Sequence, residues 1–502
     1  MVGRRVGVAF GVIMLVLLAG GATALSSDGA SPAPTQAPVY DPAQAPVIFL
    51  PGLVASELSC NPGTPGGINL WPGEATRLEE WPIATLFPAL GQVNVNSRGG
   101  IITRDVSSAQ CGSQEFRGGT VAASPVEAVS AQWCSPEAVG PINPLPHPCT
   151  VPKASVVYGT FGLALQDQIA LDAGGQLFAS YPWDWRRSPA DQVSELDRLV
   201  TLLTVKTGVK ATIVAHSFGN LLMREWLRFV ESRGQRPGDR VGRFLSVAGP
   251  WLGVATAWEH LAYGSIQPNL AGDVLSDTIG RATVRSVMSS NPGLYWLLPS
   301  KAFDDYLAAQ PDTAGESWLA VGRHRGRGVW VPFAAVPRVV ANTLDTCPES
   351  RTFPCQARAL YQAGIGNASP VTFDGGGIQD FVGVVGAGVS TAVQFCDRCL
   401  AWPDGGTDGS SELDGGAVPH LTRNGSGDGN VPVFSATFGQ NGQPTFGPIQ
   451  QVYFTCGVDH ISLMQVPDVL AQTIPYLTGD AALSYGTVFT SEPCAFTSTR
   501  TD

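Results

Sequence analysis

The chain of 502 residues is poor in charge: Asp, Glu, Lys and Arg together make up 14%, and acids outnumber bases 41 to 30. A nucleic-acid binder needs a basic face, and a net charge of −11 without any basic run excludes that class. No internal repeat is present. Beyond the first 24 residues, no stretch reaches the roughly 18 uninterrupted apolar residues that a membrane span requires. Metal-binding patterns are missing too. Cys396-Asp397-Arg398-Cys399 has no second C-x-x-C and no His-x-x-x-His to complete a zinc set. The acids of "DGGTDGSSELDGG" at 404–416 do not fall at EF-hand positions, so this reads as a polar loop. Neither a metal nor a cofactor is expected. Histidine is scarce as well, with His147, His216, His260, His324, His420 and His460 the whole supply.

What is abundant is apolar. At 44% hydrophobic residues the chain can bury a large core and is not disordered. The opening "MVGRRVGVAFGVIMLVLLAGGATALSS" runs from Arg4 and Arg5 through an apolar stretch to Ala22-Thr23-Ala24. That order predicts a signal peptide over 1–24, cleaved near Ala24, and a secreted protein; the alternative is an amino-terminal anchor at the outer face of a membrane. Ten cysteines, an even number, then read as disulfides in an exported chain, with Cys396–Cys399 expected as a small loop.

Residues 25–45 are rich in Pro and Ala and read as an extended tether. "PVIFLPG" at 46–52 is a short buried strand. A Gly/Pro-rich insertion with four cysteines follows over 60–152. "QLFASYPWDWR" leads into "ADQVSELDRLVTLLTVKTG", where Val193, Leu196, Leu199, Val200 and Leu203 recur at helical spacing. Further strands are expected in "VGRFLSVAGP" (241–250), "FVGVVGAG" (381–388) and "IQQVYFTCG" (449–457), with a last helix from near Pro467. Apolar strands alternating with amphipathic helices predict a mostly parallel sheet covered on both faces. The expected layout is a core over 46–252 and 376–480, an inserted cap or lid over 253–375, and a tail over 481–502.

Between a buried strand and a helix stands "IVAHSFGNLLM" (213–223). Ala215-His216-Ser217-Phe218-Gly219 is a nucleophile elbow, G-x-S-x-G, with Ala in the first glycine position. Mid-sheet, after several strands, is where the α/β-hydrolase fold carries it. A serine hydroxyl attacks at neutral pH only if a histidine takes its proton and an acid orients that histidine. The chain order Ser, acid, His leaves His420 and His460. His460 follows a strand at the carboxyl edge of the sheet, where ligands bind; His420 lies in a Gly/Asp-rich loop. His460 is the expected base. The acid is less determined among Asp397, Asp404, Asp408, Asp414, Asp428 and Asp459. Asp459 adjoins His460, and consecutive side chains on an extended loop diverge. Asp428, in "GSGDGNVP", has a modest lead, although Asp-Gly is also ordinary turn chemistry.

Six separated motifs resemble the lecithin:cholesterol acyltransferase family: "PVIFLPGLVASEL", "YPWDWR" at 181–186, "AHSFGN", "VAGPW", "GDGNVP" and "DHISLM". The resemblance spans roughly 46–475. It implies an α/β-hydrolase with Ser217, Asp428 and His460 as catalytic residues, and an oxyanion hole formed by the amides of Leu53 and Phe218. It also implies that "INLWPGEATRLEEWPIATLFPAL" at 68–90 occupies the place of a membrane-docking segment. Trp71, Trp81, Leu86 and Phe87 there, with Trp251, are the candidate lipid or substrate contacts. Asp184 and Arg186 of "WDWR" read as a structural ion pair. The expected function is an exported serine hydrolase or acyltransferase cleaving lipid acyl esters, in transient contact with a lipid surface. The alternatives are a carboxylesterase for small soluble esters and a silent binding module of the same fold.

Overall fold

A computed structural model describes residues 38–53, 56–60, 68–71, 121–125, 158–171, 176–264, 285, 288–289, 291–322, 328–344, 375–397, 420–439 and 448–496. The expected signal peptide and most of the tether lie outside the described residues, as do Trp81, Leu86, Phe87, Asp404, Asp408 and Asp414. Among the described residues, no helix is long and apolar enough to cross a membrane.

The strands in chain order are β1 (Val47–Leu50), β2 (Ser56–Cys60), β3 (Ile68–Trp71), β4 (Val121–Pro125), β5 (Phe178–Ser180), β6 (Ala211–His216), β7 (Val241–Val247), β8 (Leu319–Gly322), β9 (Gly328–Trp330), β10 (Asp380–Ala387), β11 (Val389–Asp397), β12 (His420–Gly427) and β13 (Gln451–Cys456). The helices are α1 (Gly159–Leu171), α2 (Val193–Thr207), α3 (Gly219–Ser232), α4 (Thr256–Tyr263), α5 (Lys301–Ala309), α6 (Val336–Leu344), α7 (Val433–Ala436) and α8 (Pro467–Thr478). The main sheet has the order β13-β10-β7-β6-β1-β5, and every pairing in it is parallel.

Burial on both faces explains why these strands read as continuous apolar runs. β1 divides its residues between two cores. Ile48 and Leu50 join Ile213 and Ala215 of β6, the apolar faces of α2 and α3, and the aromatic residues that follow β7. Val47 and Phe49 join Val214 and Leu245, with Phe161 and Leu165 of α1 and Leu470, Ile474 and Leu477 of α8. In α2 the five residues expected at helical spacing are all buried.

The order of the strands fixes where a site can form. From β1 the chain adds β5 on one side, then crosses back to lay β6 on the other. The loops after β1 and β6 therefore leave neighbouring strands at the reversal, where the carboxyl ends open a crevice. Leu50 of β1 pairs with Ala215 of β6, so the two loops start level with one another. They approach closely: a Cβ on Gly219 would lie 2.3 Å from the Leu50 carbonyl oxygen. Gly219→Ala is accordingly expected to destabilise the protein by about 1–3 kcal/mol through overpacking. Thermal unfolding against wild type checks this, and an unchanged Tm would mean the two loops separate freely. Ala215, in the elbow's first small position, sits within β6, paired with Leu50 on one side and Ser246 on the other.

Three differences from the sequence reading stand out. β8 and β9, both inside the expected cap, pair antiparallel, and β8 joins β11 and β12 in a second sheet of order β12-β11-β8-β9. β8, from the expected cap, thus shares a sheet with β12, the strand that leads to Asp428. His420 opens β12, paired with Cys396, and is not in a loop. The tail returns to the core: Phe489 is fully buried, Thr490 bridges to Phe454 of β13, and Cys494 is disulfide-bonded to Cys456. Cys396 is also disulfide-bonded. Cys399 lies outside the described residues. β2 pairs antiparallel with both β3 and β4, which lie within the Gly/Pro-rich stretch that follows it.

Candidate active site

Ser217 follows β6 with φ 54°, a left-handed conformation that a side-chain-bearing residue adopts only when its surroundings impose it. What imposes it is visible. The Ser217 amide donates to the Val247 carbonyl of β7 at 3.0 Å. The amide group of Asn220, in the first turn of α3 and fully buried, donates to the carbonyls of Ala215, Ser217 and Val247 at 3.1–3.2 Å. One side chain thus ties the strand, the turn and the next strand together, and the hydroxyl projects beyond the sheet's carboxyl edge.

His460 comes from the loop after β13. Its Nε2 lies 2.8 Å from Ser217 Oγ, and its Nδ1 lies 2.8 Å from Asp428 Oδ2. Asp428 is 2% exposed, and its other oxygen accepts from the amides of Asn430 and Val431 at 3.0 and 2.7 Å. Those bonds orient the carboxylate, and the main chain adds another: the His460 amide donates to the Asp428 carbonyl at 2.9 Å. Gly386, near the end of β10, makes room for the acid, since a Cβ there would lie 2.6 Å from Asp428 Cβ. With Nδ1–H donating to Asp428, Nε2 is left bare to accept the Ser217 proton. The arrangement can run general-base activation of a nucleophile and then general-acid delivery to a leaving group.

Asp459 does none of this. Its carboxylate turns back to its own loop, accepting from the amides of Ile461 and Ser462 at 3.1 and 3.0 Å and from the Ser462 hydroxyl at 2.6 Å. Partial burial works to raise its pKa, but these hydrogen bonds outweigh it and hold the carboxyl below its usual range. Asp397 is buried elsewhere, accepting from Tyr263 Oη and from Thr343 Oγ1.

The loop after β1 supplies the remaining side. Leu53, in the turn after β1, and Phe218, immediately after Ser217, carry the amides expected as oxyanion donors. The loop is held by Trp183 of "YPWDWR", whose Nε1 donates to the Pro51 carbonyl at 2.9 Å while its ring packs on Phe218. Arg186 grips Asp184 with two bonds of 2.8 Å, both side chains buried, and neither joins the Ser217 chain. Trp251 corrects an expectation. It is fully buried, stacked on Phe438 at 4.8 Å and edge-on to Phe244, a core residue and not a lipid contact. Trp71 is placed by its backbone at the end of β3.

Sequence reasoning passed over Asn220, Tyr158 and His216. A polar residue in the first turn of a buried helix was a signal for Asn220. For Tyr158, immediately before α1, local sequence offers none.

The fold is an α/β-hydrolase: a parallel sheet with an elbow serine at the strand-order reversal. Within it, residues 173–316 match the family model described as lecithin:cholesterol acyltransferase. The match takes in "YPWDWR", the elbow and "VAGPW"; the loops of Asp428 and His460 lie beyond it, and their assignment rests on geometry. Among solved structures, the chain is similar to one from the Tle4–Tli4 complex, with 13% identity, 87% of this chain and 97% of that one covered, and TM-score 0.44. It is similar to lipase 1 from Pelosinus fermentans at 12% identity, covering 55% and 72%, TM-score 0.22. EstA from Clostridium botulinum gives 13% identity, 55% and 66%, TM-score 0.22. No curated protein matches.

Proposed function

We propose that this protein is a serine hydrolase or O-acyltransferase that cleaves acyl esters of lipids through an acyl-Ser217 intermediate. The observation that carries the reading is the chain Ser217 Oγ to His460 to Asp428, with 2.8 Å at each link. As Ser217 Oγ attacks the ester carbonyl carbon, His460 Nε2 takes its proton. The Leu53 and Phe218 amides receive the oxyanion that forms. Collapse breaks the ester bond, and His460 returns the proton to the departing alcohol. Water or a lipid alcohol then repeats the sequence on the acyl-enzyme, with His460 as base again. Asp428 holds Nδ1–H and stabilises the imidazolium.

The lipid half of the reading is supported by the family-model match over 173–316. Its test is incubation of the protein with a mixed lipid extract, with and without an added lipid alcohol, followed by analysis of the products. Release of free fatty acid or formation of a new acyl ester is the expected result. Turnover of a short p-nitrophenyl ester without either product would replace lipid substrates by small soluble esters.

A further inference from the structure

His216 precedes the nucleophile in the elbow and takes no part in the Ser217–His460–Asp428 chain, yet it is 2% exposed and bonded through both ring nitrogens. Its Nε2 lies 3.0 Å from the main-chain carbonyl of His460. A carbonyl can only accept, so Nε2 carries the hydrogen. In a neutral ring Nδ1 is then bare, and it accepts from the Tyr158 hydroxyl at 2.7 Å. That commits the tyrosine proton and leaves its oxygen to accept from the Gly52 amide at 3.0 Å. Each bond fixes the direction of the next. Burial, and secondarily the nearby His460 ring, hold the His216 pKa well below its usual value, which keeps the ring neutral. Burial likewise raises the Tyr158 hydroxyl, so it stays protonated.

We propose that His216 and Tyr158 are positioning residues that couple the turn after β1 to the loop of His460, setting the oxyanion donor and the base in register across Ser217. The two ends of this relay are the informative part. At one end Gly52 directly precedes Leu53, whose amide is the proposed oxyanion donor. At the other, the main chain of His460 is held twice: its carbonyl accepts from His216, and its amide donates to Asp428 at 2.9 Å. Without the relay the base would keep its acid, but among the described residues no other hydrogen-bond chain would tie its main chain to the turn after β1. The packing supports the same geometry, with Tyr158 edge-on to both His216 and Phe49.

The proposal rests on reading Ser217 as nucleophile and His460 as base, and the test separates the two. The wild-type protein is treated with a fluorophosphonate and the adduct located by mass spectrometry; no adduct on Ser217 would remove the underlying reading, whatever the relay does. With the adduct found, Tyr158→Phe and His216→Asn are compared with wild type in phosphonylation rate, kcat, KM and thermal unfolding. Each variant is expected to lower kcat and phosphonylation together by about 10- to 100-fold, the order expected of small misplacements. KM and the folded fraction should stay near wild type, and the double variant should be no slower than the worse single one. Phosphonylation at the wild-type rate, or multiplicative losses in the double variant, would overturn the coupling. Should either variant not fold, imidazole nitrogen NMR of the wild-type protein decides: His216 protonated only at Nε2 and neutral through the active pH range supports the relay, and the opposite tautomer overturns it.

Discussion

Ser217→Ala is expected to leave the protein folded and to reduce turnover of a p-nitrophenyl ester by at least about 10⁴-fold, the scale on which loss of a triad nucleophile is felt. The elbow's left-handed backbone is imposed by Asn220 and by the Val247 carbonyl, neither of which touches the hydroxyl. Removing the oxygen therefore deletes the reacting atom and one hydrogen bond to His460, and leaves the supports of the turn in place. Circular dichroism and thermal unfolding should match wild type while steady-state rates collapse. A folded variant that keeps a near-wild-type rate would exclude Ser217 as the nucleophile. A silent binding module would give a different pattern, with no turnover in the wild-type protein either.

Much of this was legible in the sequence because the relevant signals were local. The elbow is five consecutive residues. The buried parallel strands show as apolar runs at Val47–Leu50, Ala211–His216 and Asp380–Ala387. The scarcity of histidine reduced the choice of base to two, and the sheet's carboxyl edge selected His460. What the sequence concealed depends on contacts far apart along the chain. The second sheet pairs Phe395 with Leu319, and nothing in either stretch announces the other. Trp251 illustrates the same limit. A tryptophan beside a motif suits a lipid contact or a core equally well, and only its stacking on Phe438 decides for the core. Tyr158 reaches His216 across 58 residues, and His216 reaches His460 across 244. No spacing rule encodes such pairs.

The acid was the open choice in the site, and it gives the second large effect. Asp428→Asn is expected to lower kcat by about 10⁴-fold, because an amide in place of the carboxylate favours the wrong imidazole tautomer. The geometry separates this electronic role from a structural one. Asp428 Oδ1 accepts from the Asn430 and Val431 amides. An asparagine can keep both bonds by presenting its own carbonyl oxygen there. Its NH₂ group then faces His460 Nδ1, where Oδ2 stood at 2.8 Å. Two donors cannot share that line, so the ring places its proton on Nε2 and presents a donor to Ser217 when an acceptor is needed. The turn survives and the base is disabled. Asp459→Asn makes the contrast. Asp459 bonds only within its own loop, to Ile461 and Ser462, so its amide variant should retain activity within a few-fold of wild type. Steady-state kinetics of the two variants, with thermal unfolding as a control, decides between them. A collapse in Asp459→Asn with Asp428→Asn active would move the acid to Asp459, and the bond between Asp428 and His460 would then be structural alone.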